Sequence, residues 1–348
     1  MTIKSYIGQK TRHFVFQSLL QARAAVFNLE GLPLSTINHW VTKDNPEPIS
    51  KTLLPIVVRE GQKLIAQDAA GFSSGLFPIS LLQGSVGAKH FFQLPELYVD
   101  SFRAAFKRKN KKGKVFRKSI QKKLKTYPDY YARNFHYQTD GYLSTDSAKR
   151  YDLQVELLFK GMADPMRRTL LPQLACQGEY KSILEIGCGT GSFSSMLAQV
   201  FPDTEILSID LSPFYISEAK KRWSHLKNLS FMVANAEDLP FKDNHFDGVV
   251  STFLFHELPR AVRNSVMIES RRVLAADGVI GAVDSLQKGD IPDFDRYFLE
   301  DFPKRFHEPF YKDYTLNPLK DLFDDGRQII EEHNLLSKVV CTTRSSFL

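Results

Sequence analysis

The sequence predicts an α/β fold: a mostly parallel sheet with helices on both faces, preceded by a mainly helical N-terminal region. Three observations carry this. Ile183–Gly191 is a short apolar run that ends in an acid and then breaks into glycines at Gly187, Gly189 and Gly191. Glu205–Asp210 repeats the pattern of a strand ending in an acid. Further apolar runs follow at Leu229–Ala234, Phe246–Ser251 and Val279–Asp284, and strand and helix are expected to alternate up to the last of them. Buried parallel strands read as such runs, and strands that alternate with helices close through right-handed crossovers.

A glycine turn at the carboxyl end of a buried strand lets a ligand touch the backbone, which makes the chain a candidate for a nucleoside cofactor. The dinucleotide fingerprint G-x-G-x-x-G wants its last glycine where this chain has Ser192. The spacing is instead G-x-G-x-G, with Glu185 two residues ahead of the first glycine. Asp210 ends the next strand, and a carboxylate there can accept hydrogen bonds from both hydroxyls of a ribose. Ser212-Pro213 then reads as an N-cap and first helical position.

These elements resemble motif I and its successors in the class I S-adenosylmethionine-dependent methyltransferases. Asn235–Phe241 is similar to the family's acidic DAExLPF loop beside the adenine, with Asn235 where the family has Asp. Glu269–Gly278 is similar to its ExxRVLKPGG helix end and turn, with Ala276-Asp277 replacing Pro-Gly. The resemblance runs from about Tyr151 to Thr343 and is nearest the small-molecule branch that includes the ubiquinone and menaquinone C-methyltransferases. It implies a Rossmann-like sheet and S-adenosyl-L-methionine as cofactor. It also implies cofactor contacts from Glu185, Gly187, Cys188, Gly189, Gly191, Asp210, Leu211, Asn235, Ala236, Glu237 and Ser251. The family usually ends in a helix and an antiparallel strand pair. Here Leu322–Asn334 reads as a helix and Ser337–Thr343 as a strand, so the last strand is expected to be absent, very short or replaced.

With 348 residues the chain can hold one large or two medium domains, and 43% hydrophobic residues suffice for a proper core. We expect a helical region over 1–126 and the methyltransferase domain over 127–348, with its core at 151–343. Within the first part, Ile49–Ala70 and Leu94–Phe106 have helical spacing. Tyr127–Gly141 is dense in Tyr and holds His136; it either caps the active site or packs the N-terminal part onto the core. Ser147–Leu174 reads as one helix leading into the first strand.

Cys176, Cys188 and Cys341 lie far apart without a C-x-x-C pair, against a disulfide framework or zinc site and for a reducing compartment. No metal site is expected. Phe14–Leu29 is interrupted by Gln17, Gln21 and Arg23, so no membrane span is read there, and a cytoplasmic location is expected. The first 29 residues lack Asp and Glu, faintly like an organellar transit peptide, though an ordinary amphipathic helix accounts for them better. The net charge of +7 comes from one run, Lys107–Lys125, without which the chain would be net negative. That run could meet RNA, an acidic partner or an anionic surface, yet only Phe116 interleaves it, and a solvated linker or helix face is the reading preferred.

A sulfonium methyl group is already activated, so its transfer needs an aligned acceptor and no covalent enzyme intermediate. After the fourth strand comes Thr252–Pro259, which faces the reacting methyl in the family. His256 is the candidate general base or polar anchor of the acceptor, with Glu257 structural. Phe253, His307 and Tyr311 are candidates for the acceptor pocket. The aromatic recurrence Phe294, Phe298, Phe302, Phe306, Phe310 and Tyr314 serves either that pocket or the core. The Asn/Asp-Pro-Pro-aromatic signature of base-amino methyltransferases is absent after strand four, and no cysteine is placed for pyrimidine C5 methylation. A small, apolar or aromatic acceptor methylated at O or C is therefore expected. The alternatives are an RNA or protein substrate held by the basic run, and a non-catalytic cofactor-binding protein.

Overall fold

The computed structural model describes residues 3–42, 53–87, 92–109, 116–122, 124–133, 140–300 and 308–344. Seven strands form one sheet: β1 (Ser182–Ile186), β2 (Glu205–Asp210), β3 (Leu229–Val233), β4 (Phe246–Thr252), β5 (Leu274–Ser285), β6 (Ile329–Asn334) and β7 (Ser337–Thr342). Their spatial order is β3-β2-β1-β4-β5-β7-β6. The first five are parallel, while β7 runs antiparallel between β5 and β6. The order reverses on either side of β1, so β1 and β4 diverge at a topological switch point, where open α/β sheets bind ligands.

The strands are apolar on both faces, because successive side chains point to opposite sides. Ile183, Val250, Val279 and Val339 enter one core; Leu184, Val249, Ile280 and Val340 enter the other. The first face is covered by α1 (Ile3–Thr42) and α2 (Leu53–Ser74), through Leu20, Ile65 and Phe72, and by the later helices α7 (Leu170–Ala175) and α8 (Ser192–Val200). The second is covered by α10 (Arg260–Val273) and the short helix Leu319–Phe323. The N-terminal helices thus complete a layer of the sheet. A buried bidentate pair ties them in: Arg168 Nε and Nη2 donate to the two oxygens of Asp68, both at 2.6 Å.

Three expectations are corrected. Leu322–Asn334 is not a helix. The chain turns at Gly326, with φ +88°, and Ile329–Asn334 pairs with β7 along all six of its residues. The final antiparallel strand is therefore present, and β7, buried throughout, is what draws β6 to the edge. Ser147–Leu174 is three helices, α5 (Thr145–Leu158), α6 (Ala163–Arg168) and α7. Lys160 and Gly161 take positive φ between the first two, and Gly161 N–H donates to Glu156 O at 2.7 Å, the usual way a helix ends. The basic run is not wholly solvated: Phe116 and Ile120 are buried with Leu143, and Lys118–Gln121 forms a single turn, α4. Its residues 110–115 and Lys123 lie outside the described part. α3 (Leu94–Lys109) and α9 (Pro213–Trp223) complete the helices named here. Ser212 caps α9 as expected, its Oγ accepting from Tyr215 N–H. Among the described residues no helix is long and apolar enough to cross a membrane.

Candidate active site

The crevice opens at the carboxyl ends of β1, β2 and β4. Gly187, Cys188 and Gly189 form its floor, Asp210 and Leu211 one wall, and Ala234, Asn235 and Ala236 the far end. Gly187 and Gly189 have φ of +67° and +56°, a left-handed backbone that side-chain-bearing residues resist. A Cβ on Gly189 would meet nothing nearer than Tyr151 at 3.8 Å and Tyr215 at 3.9 Å, so open space stands before its backbone. This is a cradle for a ligand that lies against the chain.

Asp210 holds the turn to the next strand. One carboxylate oxygen accepts from Gly189 N–H at 2.9 Å and the other from Ser212 N–H at 2.8 Å. Burial pushes its pKa up to about 6, against those two hydrogen bonds. Each oxygen keeps acceptor capacity toward the crevice, which suits the two hydroxyls of a ribose. Asn235 Oδ1 accepts from Glu237 N–H at 3.1 Å, which leaves its amide group as a neutral donor at the far end of the crevice.

Other expected contacts fall elsewhere. Glu185 lies beneath the turn, fully buried, and accepts from Ser194 Oγ of α8 and from Ser208 Oγ of β2 at 3.0 Å. Burial raises its pKa to about 7 despite those hydroxyls. It is a strut joining β1, β2 and α8, and the crevice lining does not include it. Gly191 also lies outside the lining; a Cβ there would meet Phe231 at 2.7 Å and Trp223 at 2.9 Å. Glu237 accepts from Tyr130 Oη at 2.6 Å, behind the lining. Ser251 is buried in β4 with no hydrogen-bond partner for Oγ among the described residues.

Two groups of crevice residues, apart from Tyr130 and Tyr131 of the tyrosine-rich segment, escaped sequence reading. Asp152 of α5 accepts from Thr190 Oγ1 at 2.7 Å, from Ser192 Oγ at 2.6 Å and from Arg222, and so clamps the glycine turn from outside. Burial opposes its charge, but Arg222, Arg167 and the two hydroxyls outweigh it and lower the pKa. The second group is aromatic. Tyr142 packs edge-on against Tyr151 and Tyr215, at 6.1 and 5.4 Å between ring centres, with Tyr131 alongside. Tyr130, Tyr131, Tyr142, Tyr151 and Tyr215 all line the crevice. The tyrosine-rich segment thus reaches the site through Tyr130 and Tyr131, while His136 lies outside the described residues.

After β4, Phe253 lines the crevice in a left-handed conformation, φ +55°, with the Arg167 guanidinium 5.9 Å from its ring centre. His256 is buried just behind it, in the turn Phe255–Glu257. Its Nδ1 is 2.7 Å from Asp284 Oδ1, and burial of the ring is outweighed by that carboxylate, so its pKa is raised. Asp284 is held in turn by the N–H groups of Phe255 and Ser285, each at 2.7 Å. Glu257 lines the crevice and accepts from Tyr142 Oη at 2.5 Å. Burial and the charge of Glu257 hold the Glu308 carboxyl well above the usual range. Tyr311 is buried beside His256, 6.0 Å between ring centres, and its hydroxyl is 2.6 Å from Ser285 Oγ. Phe294, Leu299 and Tyr311 share one core cluster with Leu53, so the described aromatics of that stretch pack the fold. His307, Phe302 and Phe306 lie outside the described residues.

Residues 183–278 match the family described as a methyltransferase domain. Fatty-acid O-methyltransferase of Mycolicibacterium smegmatis is 34% identical over 118 residues, 34% of this chain and 42% of that protein. Demethylmenaquinone methyltransferase of Thermotoga maritima is 33% identical over 131 residues, 38% of this chain and 55% of the relative. The chain spans about half the length of the curated relatives it matches. Among solved structures, a SAM-dependent methyltransferase from Aquifex aeolicus aligns with 57% of this chain and 98% of its own, at 18% identity and a TM-score of 0.39. Residues 183–278 thus match a methyltransferase-domain family, and the chain is similar over about two fifths of its length to demethylmenaquinone and ubiquinone/menaquinone C-methyltransferases.

Proposed function

We propose that this chain transfers a methyl group from S-adenosylmethionine to oxygen or carbon of a small, apolar or aromatic acceptor. The observation that carries the reading is the crevice itself, where the open backbone of Gly189 and the Asp210 carboxylate stand side by side at the switch point of the sheet. Gly187, Cys188 and Gly189 would lie along the cofactor, Asp210 would hold its ribose, and Asn235 and Ala236 its adenine. When bound, the cofactor supplies an electrophilic methyl group.

The chain's own work is positioning and the exclusion of water. Tyr131, Tyr142, Tyr151, Tyr215 and Phe253 wall the crevice with aromatic surface, which favours an apolar acceptor over a polymer backbone. Glu257 is oriented by Tyr142 and faces the crevice, and His256, fixed by Asp284, anchors the acceptor side from behind it. The fatty-acid and quinone acceptors named for the relatives are of the same apolar character.

The test is transfer of a labelled methyl group. Purified chain is incubated with methyl-labelled S-adenosylmethionine and, separately, with lipid extract, total RNA and protein extract. Label in the organic-extractable fraction alone supports the reading. Label confined to RNA or protein would replace it with a macromolecular acceptor held by the basic run.

A further inference from the structure

We propose that α1 docks in the plane of an anionic lipid bilayer surface and buries its outward apolar stripe there. Phe14, Val15, Leu19, Val26 and Leu29 are each between 44% and 69% exposed. Together with the exposed Ala22, the last four recur every third or fourth residue, so they share one side of the helix. From Phe14 to Leu29 the stripe runs about 22 Å, at 1.5 Å per residue. Single apolar side chains on a surface are ordinary, whereas a contiguous apolar stripe marks an interaction site.

The other side of the same helix is an independent observation. Leu20, Ala24 and Phe27 are buried there, Leu20 in the sheet core beside Ile65 and Phe72 of α2, and Phe27 with Leu97 of α3 and Leu153 of α5. The helix is therefore apolar on two opposite sides, as fully buried helices are, yet the fold covers only one of them. Its rotation is fixed: Arg23 Nη2 lies 3.3 Å from the buried carboxylate of Asp164. The stripe is held facing outward and cannot turn into the core without breaking that ion pair and exposing Phe27.

Charge selects the occupant. Residues 1–29 hold Lys4, Lys10, Arg12 and Arg23 and no acid. Lys10 and Arg12 are exposed, and at about 100° per residue they fall at the two edges of the stripe. Basic side chains that flank an apolar helix face complement acidic headgroups while the face enters the acyl boundary. A second copy of the chain would instead set like charges against each other with no acid to pair them. The stripe also spans only about two heptads, short of a coiled-coil seam. Among the described residues no helix is long and apolar enough to cross a bilayer, which leaves the in-plane position.

The inference does not depend on methyl transfer, and its test is run without S-adenosylmethionine. The full chain is floated with phosphatidylglycerol vesicles and, separately, with phosphatidylcholine vesicles. We expect at least tenfold tighter binding to phosphatidylglycerol. Leu19→Glu with Val26→Glu should weaken that binding at least tenfold. Ile268→Glu with Leu316→Glu adds the same charge at two apolar positions of similar exposure outside α1, and should bind within threefold of wild type. Circular dichroism establishes that each variant is folded; should the charged α1 pair not fold, the neutral Leu19→Ser with Val26→Ser should still lose at least threefold. Adsorption through the basic run alone would leave the two charged pairs equal and would overturn the proposal. So would a wild-type chain that does not float with phosphatidylglycerol, or that floats equally with phosphatidylcholine. A dimer seen by light scattering that the α1 pair splits, without flotation, would assign the stripe to a second copy instead.

Discussion

The Asp210 carboxylate accepts a hydrogen bond from the backbone N–H of Gly189 at 2.9 Å. That bond joins two motifs 21 residues apart, the glycine turn after β1 and the acid ending β2. It sets the distance between the open backbone of the glycine turn and the Asp210 carboxylate, the two parts of the crevice proposed to meet the cofactor.

Gly191→Ala should destabilise the fold. The residue has φ +79°, and a Cβ would lie 2.7 Å from Phe231 and 2.9 Å from Trp223. Left-handed strain and overpacking together cost about 1–4 kcal/mol. Urea unfolding of the variant measures the loss. A variant as stable as wild type would mean that the turn relaxes without strain.

Glu185→Gln should alter the pH dependence of stability. Burial raises the folded-state pKa of Glu185 to about 7 from an ordinary 4.5, so the folded chain binds the extra proton between those values. Stability then falls as pH rises through that window, by up to about 3 kcal/mol. The neutral glutamine lacks this loss, so the variant should gain on wild type between pH 5 and pH 8. Parallel stability curves for the two would show that Ser194 and Ser208 hold the charge without cost.

Asp68→Ala should destabilise the whole chain by about 3–5 kcal/mol, because it strands the Arg168 guanidinium in the core. The pair joins α2 to α6, so one cooperative transition should move as a unit. If the region 1–126 folds apart from the rest, the variant would instead show a separate early transition with the later one unmoved.

Much of the fold was legible because its signals are local. Glycines at 187, 189 and 191 mark left-handed backbone, and alternate-face apolar runs mark the parallel strands. Asp210 could be placed because the end of β2 is set by the register of a neighbouring parallel strand. β6 was not legible, since Ile329–Asn334 takes its conformation from the edge of β7 and not from its own pattern. Asp152 was hidden for a related reason: its partners Thr190, Ser192 and Arg222 lie 38 to 70 residues away. Glu185 illustrates the opposite case, a motif position that sequence marks for the cofactor and that the fold uses to tie three elements together. The proximity of Glu308 to His256 and Glu257 depends on the path of the chain after β5, which no local pattern reveals.

The most direct measurement is calorimetric titration of S-adenosylmethionine into the wild-type chain and into Asp210→Ala. The account predicts one site in wild type and at least tenfold weaker binding in the variant, with the variant folded by circular dichroism. No binding by wild type, or equal binding by both, would contradict it.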